Sequence, residues 1–129
     1  HIRGDGRPYR SYLYAADAAV WLWTILFRGL PNEPYNVGSE REITIAETAK
    51  LVAQCGGLNP DSINTSWDQT NFGSSSRYVP DTSKARTELG LTQHVPLEEA
   101  INRTLEWHRR ARGRGNGTPS TSYTGFKLI

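Results

Sequence analysis

The chain has 129 residues, 36% hydrophobic and 22% charged, which suffices for one domain with one core and is too little for two. No apolar run reaches the roughly 18 residues of a membrane-spanning helix, and a single Cys with His1, His94 and His108 set far apart leaves no disulfide framework and no Cys-based zinc site. The formal charge of +2 is unevenly spread: residues 1–108 carry ten basic and thirteen acidic side chains, whereas 109–129 carry five basic and none acidic, so the basicity belongs to the tail and not to a nucleic-acid-binding face of the body.

The chain has no Met and opens at His1-Ile2-Arg3 without a leader pattern, which reads as a piece of a longer, soluble, cytoplasmic protein. Gly4-Asp5-Gly6 is a turn signal, because Gly accepts positive φ, and Arg3, Arg7 and Arg10 flank it. Tyr12-Leu13-Tyr14 reads as a short strand. Asp17 stands as N-cap of a helix over 18–27. That segment is apolar on nearly every face apart from Thr24, the pattern of a buried helix, and Gly29 stops it. After Pro31 and Pro34, Tyr35-Asn36-Val37-Gly38 reads as a short buried strand.

Thr44-Ile45-Ala46-Glu47 is a capping box, and Ile45, Ala49, Val52 and Ala53 follow as an apolar stripe at helical spacing. Gly56-Gly57 ends that helix, and residues 58–76 read as irregular. Arg77-Tyr78-Val79-Pro80 is expected to be extended, since Pro80 biases Val79 away from the helical region. Asp81 or Thr82 caps a short helix through Leu89, closed by Gly90. Pro96 opens the last helix, with Glu98 and Glu99 at its positive end and Arg109, Arg110 and Arg112 at its negative end. Leu97, Ile101, Leu105 and His108 recur along one side. The expected organisation is a domain over 1–111 and a flexible basic and polar tail over 112–129, where the Gly, Ser, Thr and Pro content cannot build a core.

Several ready-made sites fail on their own chemistry. Gly4-Asp5-Gly6 begins like a dinucleotide fingerprint, but Tyr9 stands where the third Gly belongs and no capped helix follows. Tyr123 and Lys127 have the Tyr-x-x-x-Lys spacing, but Gly125 interrupts the helix face that such a pair needs. Cys55, before two glycines at a helix end, reads as a small buried hydrophobe. Anion-binding features remain: Arg10 beyond a glycine turn, and Arg77 with Tyr78 entering an extended segment. A guanidinium fork matches phosphate oxygens, and Tyr adds a donor and an aromatic face. A different reading is a nucleic-acid-binding module acting through the Arg/Gly segment 109–117.

Taken in order, four segments resemble a known family. Gly4-Asp5-Gly6 with Arg10, Tyr12 and Asp17 resembles the G-D-G-x-x-x-R-x-[YF]-x-x-x-x-D stretch of extended short-chain dehydrogenases that act on nucleotide sugars. Tyr35 to Gly38 resembles their Y-N-[VIL]-G strand. Asp81-Thr82-Ser83-Lys84-Ala85 with Leu89-Gly90 resembles D-x-S-K-A-x-x-x-L-G, and Thr104 to Trp107 resembles the closing T-x-x-W. The family is that of the NAD-dependent nucleotide-sugar epimerases and dehydratases, including the dTDP-glucose 4,6-dehydratase and UDP-galactose 4-epimerase branches.

The resemblance covers only the C-terminal part of that family. It implies a mixed α/β, helix-rich part-domain of about four helices and two or three short strands, packed on a missing NAD-binding Rossmann domain that would hold the cofactor and the catalytic residues. It implies a nucleotide-diphosphate sugar as partner, oriented for C4 oxidation by hydride transfer to NAD and then epimerisation or dehydration. Arg10 would touch the diphosphate, and Tyr78 would lie near the same substrate. The epimerase branch carries an Arg about seven residues before the tyrosine matching Tyr78; here that position falls near Asn71, which is counted with Arg10, Arg77 and Tyr78 as substrate-binding, so either Arg77 takes the phosphate role, or the loop differs, or the diphosphate is bound with fewer charges. Asp17, Asn36 and Asp81 would be structural, and no catalytic, cofactor-binding or metal residue is expected. If the Tyr35 strand joins a sheet outside the chain, it and the helix at 18–28 would be exposed here.

Overall fold

The computed structural model describes residues 1–2, 4–65 and 76–113. Arg3, Asn71, the Tyr123/Lys127 pair and the rest of the tail beyond Gly113 lie outside the described residues. Within them the chain forms β1 (Tyr9–Arg10), α1 (Ala15–Arg28), β2 (Ile43–Thr44), α2 (Ile45–Cys55), a 3-10 turn (Pro60–Ser62), α3 (Ser83–Leu89) and α4 (Leu97–Gly113). This is the expected helix-rich mixed α/β part-domain, with a single two-stranded sheet among the described residues.

The glycine turn aims β1. Gly4 and Gly6 both have positive φ. Gly6 has a second constraint: a Cβ there would stand 2.8 Å from Ala46 Cβ, because the Gly6 carbonyl accepts from the Ala46 N–H at the start of α2. Only glycine satisfies both. β1 then pairs antiparallel with β2, Tyr9 opposite Thr44 and Arg10 opposite Ile43. Ser11 takes the chain off the ladder: its hydroxyl donates to the Ser39 carbonyl (2.5 Å) and accepts from the Ser39 N–H (3.1 Å). The strand expected at Tyr12 to Tyr14 therefore lies earlier, at Tyr9–Arg10.

α1 begins two residues before the expected cap. Ala15 and Ala16 are strong helix formers, so Tyr14 takes the cap position and makes no side-chain cap bond. Asp17 is consequently not the N-cap. It sits in the first turn, buried, and its Oδ2 accepts from the backbone N–H groups of His94 (3.1 Å) and Val95 (2.9 Å). The carboxylate ties α1 to the turn before α4. One turn along, Trp21 is buried against Ala85, Leu89 and Leu91 and donates from Nε1 to the Thr92 carbonyl (3.2 Å).

The rest of α1 has the all-round apolar pattern of a buried helix, but in this chain it is largely exposed, as the reading of 18–28 as an uncovered helix anticipates. Val20, Leu22, Trp23, Leu26 and Phe27 are exposed, with Trp23 and Phe27 stacked at 5.6 Å. Elements packing on α1, chiefly α3 and the segment after it, reach one side only. Nor does Tyr35 to Gly38 form a strand, for no described segment pairs with it. Its side chains bond to α3 and its lead-in instead: Tyr35, packed against the Trp21 cluster, donates to Glu88 (2.6 Å), and Asn36 Nδ2 donates to the Asp81 carbonyl (2.8 Å).

α2 starts as read, and α4 starts at Leu97, one residue after the Pro96 expected at its first position. Thr44 and Glu47 complete the capping box reciprocally. α3 ends on Gly90 in the left-handed region (φ 69), and the Ala100 N–H donates to the Pro96 carbonyl at the head of α4. At α3 the cap is shared: Thr82 holds the N-cap position while Asp81 Oδ1 accepts from the Ser83 N–H (2.8 Å). The Thr82 hydroxyl is drawn off to Glu40 (2.8 Å). Residues 60–62, read as irregular, form the 3-10 turn because the Asn59 side chain accepts from the Asp61 N–H.

Candidate functional site

The anion-binding candidates meet on one small ladder. β1 has β2 on one side, and on the other Tyr9 bridges Arg77 in parallel: the Tyr9 N–H donates to the Ser76 carbonyl (2.9 Å) and the Tyr78 N–H to the Tyr9 carbonyl (3.3 Å). Arg77 and Tyr78 are extended, as Pro80 requires. Side chains alternate across a strand, and bridged residues share a face. Tyr9, Arg77 and Thr44 thus lie on one face, and Arg10, Ser76 and Tyr78 on the other.

The contacts agree with this pleat. Arg10 Nη1 donates to the Tyr9 carbonyl (2.7 Å), to Ser76 Oγ (3.3 Å) and to the Ser76 carbonyl (3.5 Å). All three acceptors are uncharged, so no described carboxylate neutralises this half-buried guanidinium. Tyr78, on the same face, is exposed. Arg77 is instead held by Glu42 at 2.6 Å on the opposite face.

That second side is acidic. A cleft of about 470 Å³ is lined by Glu40, Arg77, Val79, Pro80, Asp81 and Ser83. Hydrogen bonds from Thr82 and then Arg86 hold the Glu40 carboxyl below its usual range, and Ser83 does the same for Asp81. Arg86 pairs Glu40 at 2.8 Å and Glu42 pairs Arg77, so neither guanidinium keeps an unspent charge for an anion, and the Asp81 carboxylate adds a negative charge to the lining. The structure brings Arg10 and Tyr78 together and separates both from the Arg77 side chain. Sequence reasoning missed Glu42 and Ser76. The Glu42 pairing depends on strand register, and Ser76 ends a serine run in which no position stands out.

Thr44, Asn36, Asp17 and Asp81 bond to backbone groups at the chain's own joints. For a dinucleotide the described residues offer no cradle: the Gly4–Gly6 turn leads into a strand, its Gly6 carbonyl itself takes the Ala46 N–H at the start of α2, and Gly56–Gly57 closes a helix. These residues do not fit NAD. Among the described residues no cluster of His, Cys, Asp or Glu has the arrangement of a metal site, and no helix is long and apolar enough to cross a membrane.

No family model matches the chain. Curated relatives do. A dTDP-D-glucose 4,6-dehydratase of Mus musculus is 36% identical over 112 residues, covering 84% of this chain and 32% of that protein. A trifunctional UDP-glucose 4,6-dehydratase/UDP-4-keto-6-deoxy-D-glucose 3,5-epimerase/UDP-4-keto-L-rhamnose-reductase of Arabidopsis thaliana is 34% identical over 107 residues, 83% of this chain and 16% of that one. Among solved structures, a dTDP-glucose 4,6-dehydratase of Streptomyces venezuelae with NAD bound superposes with a TM-score of 0.73 at 28% identity, covering 87% of this chain and 34% of its own. The chain therefore spans a third or less of the curated relatives it matches.

Proposed function

Because this chain belongs to the NAD-dependent nucleotide-sugar dehydratase and epimerase family of extended short-chain dehydrogenases, we propose that it is the substrate-orienting part of such an enzyme. The ligand is a nucleotide-diphosphate sugar, and Arg10 is its diphosphate contact. The observation that carries this reading is the state of Arg10: a guanidinium held at Nη1 by neutral oxygens, without a carboxylate partner among the described residues, on a face shared with Tyr78. A fork held in this way keeps its other donors for phosphate oxygens, and its charge is not already spent. Tyr78 beside it offers a hydroxyl and a ring to the same ligand.

Arg77 has a different part in this reading. It could reach a phosphate only by giving up Glu42 and crossing the strand, so it serves the ladder and not the ligand. NAD supplies the hydride chemistry and is held by the remainder of the parent protein. This segment contributes orientation, which raises the effective concentration of the reacting sugar at the cofactor.

Calorimetric titration of the 129-residue chain with dTDP-glucose and UDP-glucose tests the assignment. Binding is expected, and Arg10→Ala should weaken it at least about tenfold, the worth of one charge-assisted contact. Incubation with NAD and either sugar nucleotide should give no turnover. Turnover by the chain alone, or equal affinity in the variant, would overturn the reading.

A further inference from the structure

We propose that Ser76 is a positioning residue for Arg10, an inference that rests on the assignment of Arg10 to the diphosphate. Arg10 and Ser76 are 66 residues apart in sequence and meet only because the extended segment at 76–78 lies beside β1. Ser76 bonds one nitrogen, Nη1, with two different oxygens, the hydroxyl at 3.3 Å and the carbonyl at 3.5 Å, while the Tyr9 carbonyl takes the same nitrogen at 2.7 Å. Nη1 has two N–H bonds for these three acceptors, so two of the oxygens share one hydrogen, and together they restrain the rotation of the guanidinium. They leave Nη2 and Nε as the edge that faces a ligand, the edge that a bidentate phosphate contact uses.

The hydroxyl is the only one of the three acceptors that belongs to a side chain. The Tyr9 and Ser76 carbonyls come with the backbone of the ladder, whose own hydrogen bonds (Tyr9 N–H to the Ser76 carbonyl, Tyr78 N–H to the Tyr9 carbonyl) do not involve that hydroxyl. Residue identity at 76 therefore tunes the aim of Arg10 without building the strand. Ser76 acts through Arg10; it gives the ligand nothing directly.

A double-mutant cycle separates this role from a structural one. dTDP and UDP-glucose are titrated against the unmodified chain, Ser76→Ala, Ser76→Thr, Arg10→Ala and the Ser76→Ala/Arg10→Ala double variant. Thermal unfolding of each confirms the fold. Ser76→Ala should weaken binding about threefold to tenfold, the worth of one ordinary hydrogen bond. Ser76→Thr, which keeps the hydroxyl, should restore most of it. In the Arg10→Ala background the Ser76→Ala change should have no further effect.

If Arg10→Ala weakens binding and Ser76→Ala does not, the positioning role is overturned while the diphosphate assignment stands. An equal loss from Ser76→Ala in both backgrounds marks a strand role and also overturns it. If Arg10→Ala changes nothing, or the unmodified chain binds neither probe, the assignment itself fails and the inference with it. A readout without ligand is the nitrogen NMR signal of the Arg10 guanidinium, whose rotation should quicken in Ser76→Ala. Unchanged rotation would contradict the proposal.

Discussion

Arg41 and Glu98 show how much a single pair contributes to joining the loop before β2 to α4. The two guanidinium nitrogens meet the two carboxylate oxygens at 2.8 and 2.7 Å. This bidentate hydrogen bonding, more than bare charge, holds the Glu98 carboxyl at about 2, against an ordinary value of 4.5. Folded Glu98 thus gives up its proton more readily than unfolded Glu98. Its stabilisation is in full force above the ordinary value and is lost as pH falls through the folded one. Both side chains are close to half exposed, so solvent and salt screen the pair. Urea titrations of the chain and of Glu98→Gln should show a difference in unfolding midpoint that is constant above about pH 5 and shrinks towards pH 2. A difference that does not vary with pH would contradict the assignment. Glu98 was legible in sequence as a charge at a helix start. Its partner 57 residues away was not, because pairing across a loop depends on where the loop folds.

At the scale of elements, α1 carries two tryptophans with opposite surroundings. Trp21 is 2% exposed, with its indole N–H bonded to Thr92; Trp23, two residues on, is 62% exposed and stacked only on Phe27. Trp21→Ala should cost about 3–5 kcal/mol by opening a cavity in the small core. Trp23→Ser should change stability by no more than about 1 kcal/mol, since the pair it leaves is already wet. Denaturant midpoints measured by circular dichroism distinguish the two, and equal costs would refute the one-sided packing of this helix. The same contrast shows what a sequence can tell. The capping box at Thr44 to Glu47, the left-handed stop at Gly90 and the bent approach at Gly4 to Gly6 were readable because local backbone chemistry decides them. The covered side of α1 was not, because an all-apolar helix has no pattern that names its neighbour. Tyr35 to Gly38 was misread for a related reason: strand propensity is realised only beside a partner strand, and no described segment supplies one.

For the whole molecule, the decisive feature is the pleat that separates two arginines one strand apart. Sequence placed both among the phosphate-binding candidates, since residue type and extended context were all it offered. The register between β1 and the segment at 76–78 assigns them to different faces, and Glu42 engages one of them. Spanning a third or less of its curated relatives, the chain holds a strand that presents Arg10, the proposed diphosphate contact, and a helix with an open apolar side, and among its described residues no cradle for the cofactor. That division of labour rests on which arginine meets the diphosphate. The most direct measurement is the affinity of Arg10→Ala and Arg77→Ala for UDP-glucose, titrated side by side at one salt concentration. Arg10→Ala should lose at least about tenfold and Arg77→Ala should stay within about twofold of the unmodified chain; a loss confined to Arg77→Ala, or shared equally by both, would contradict the account.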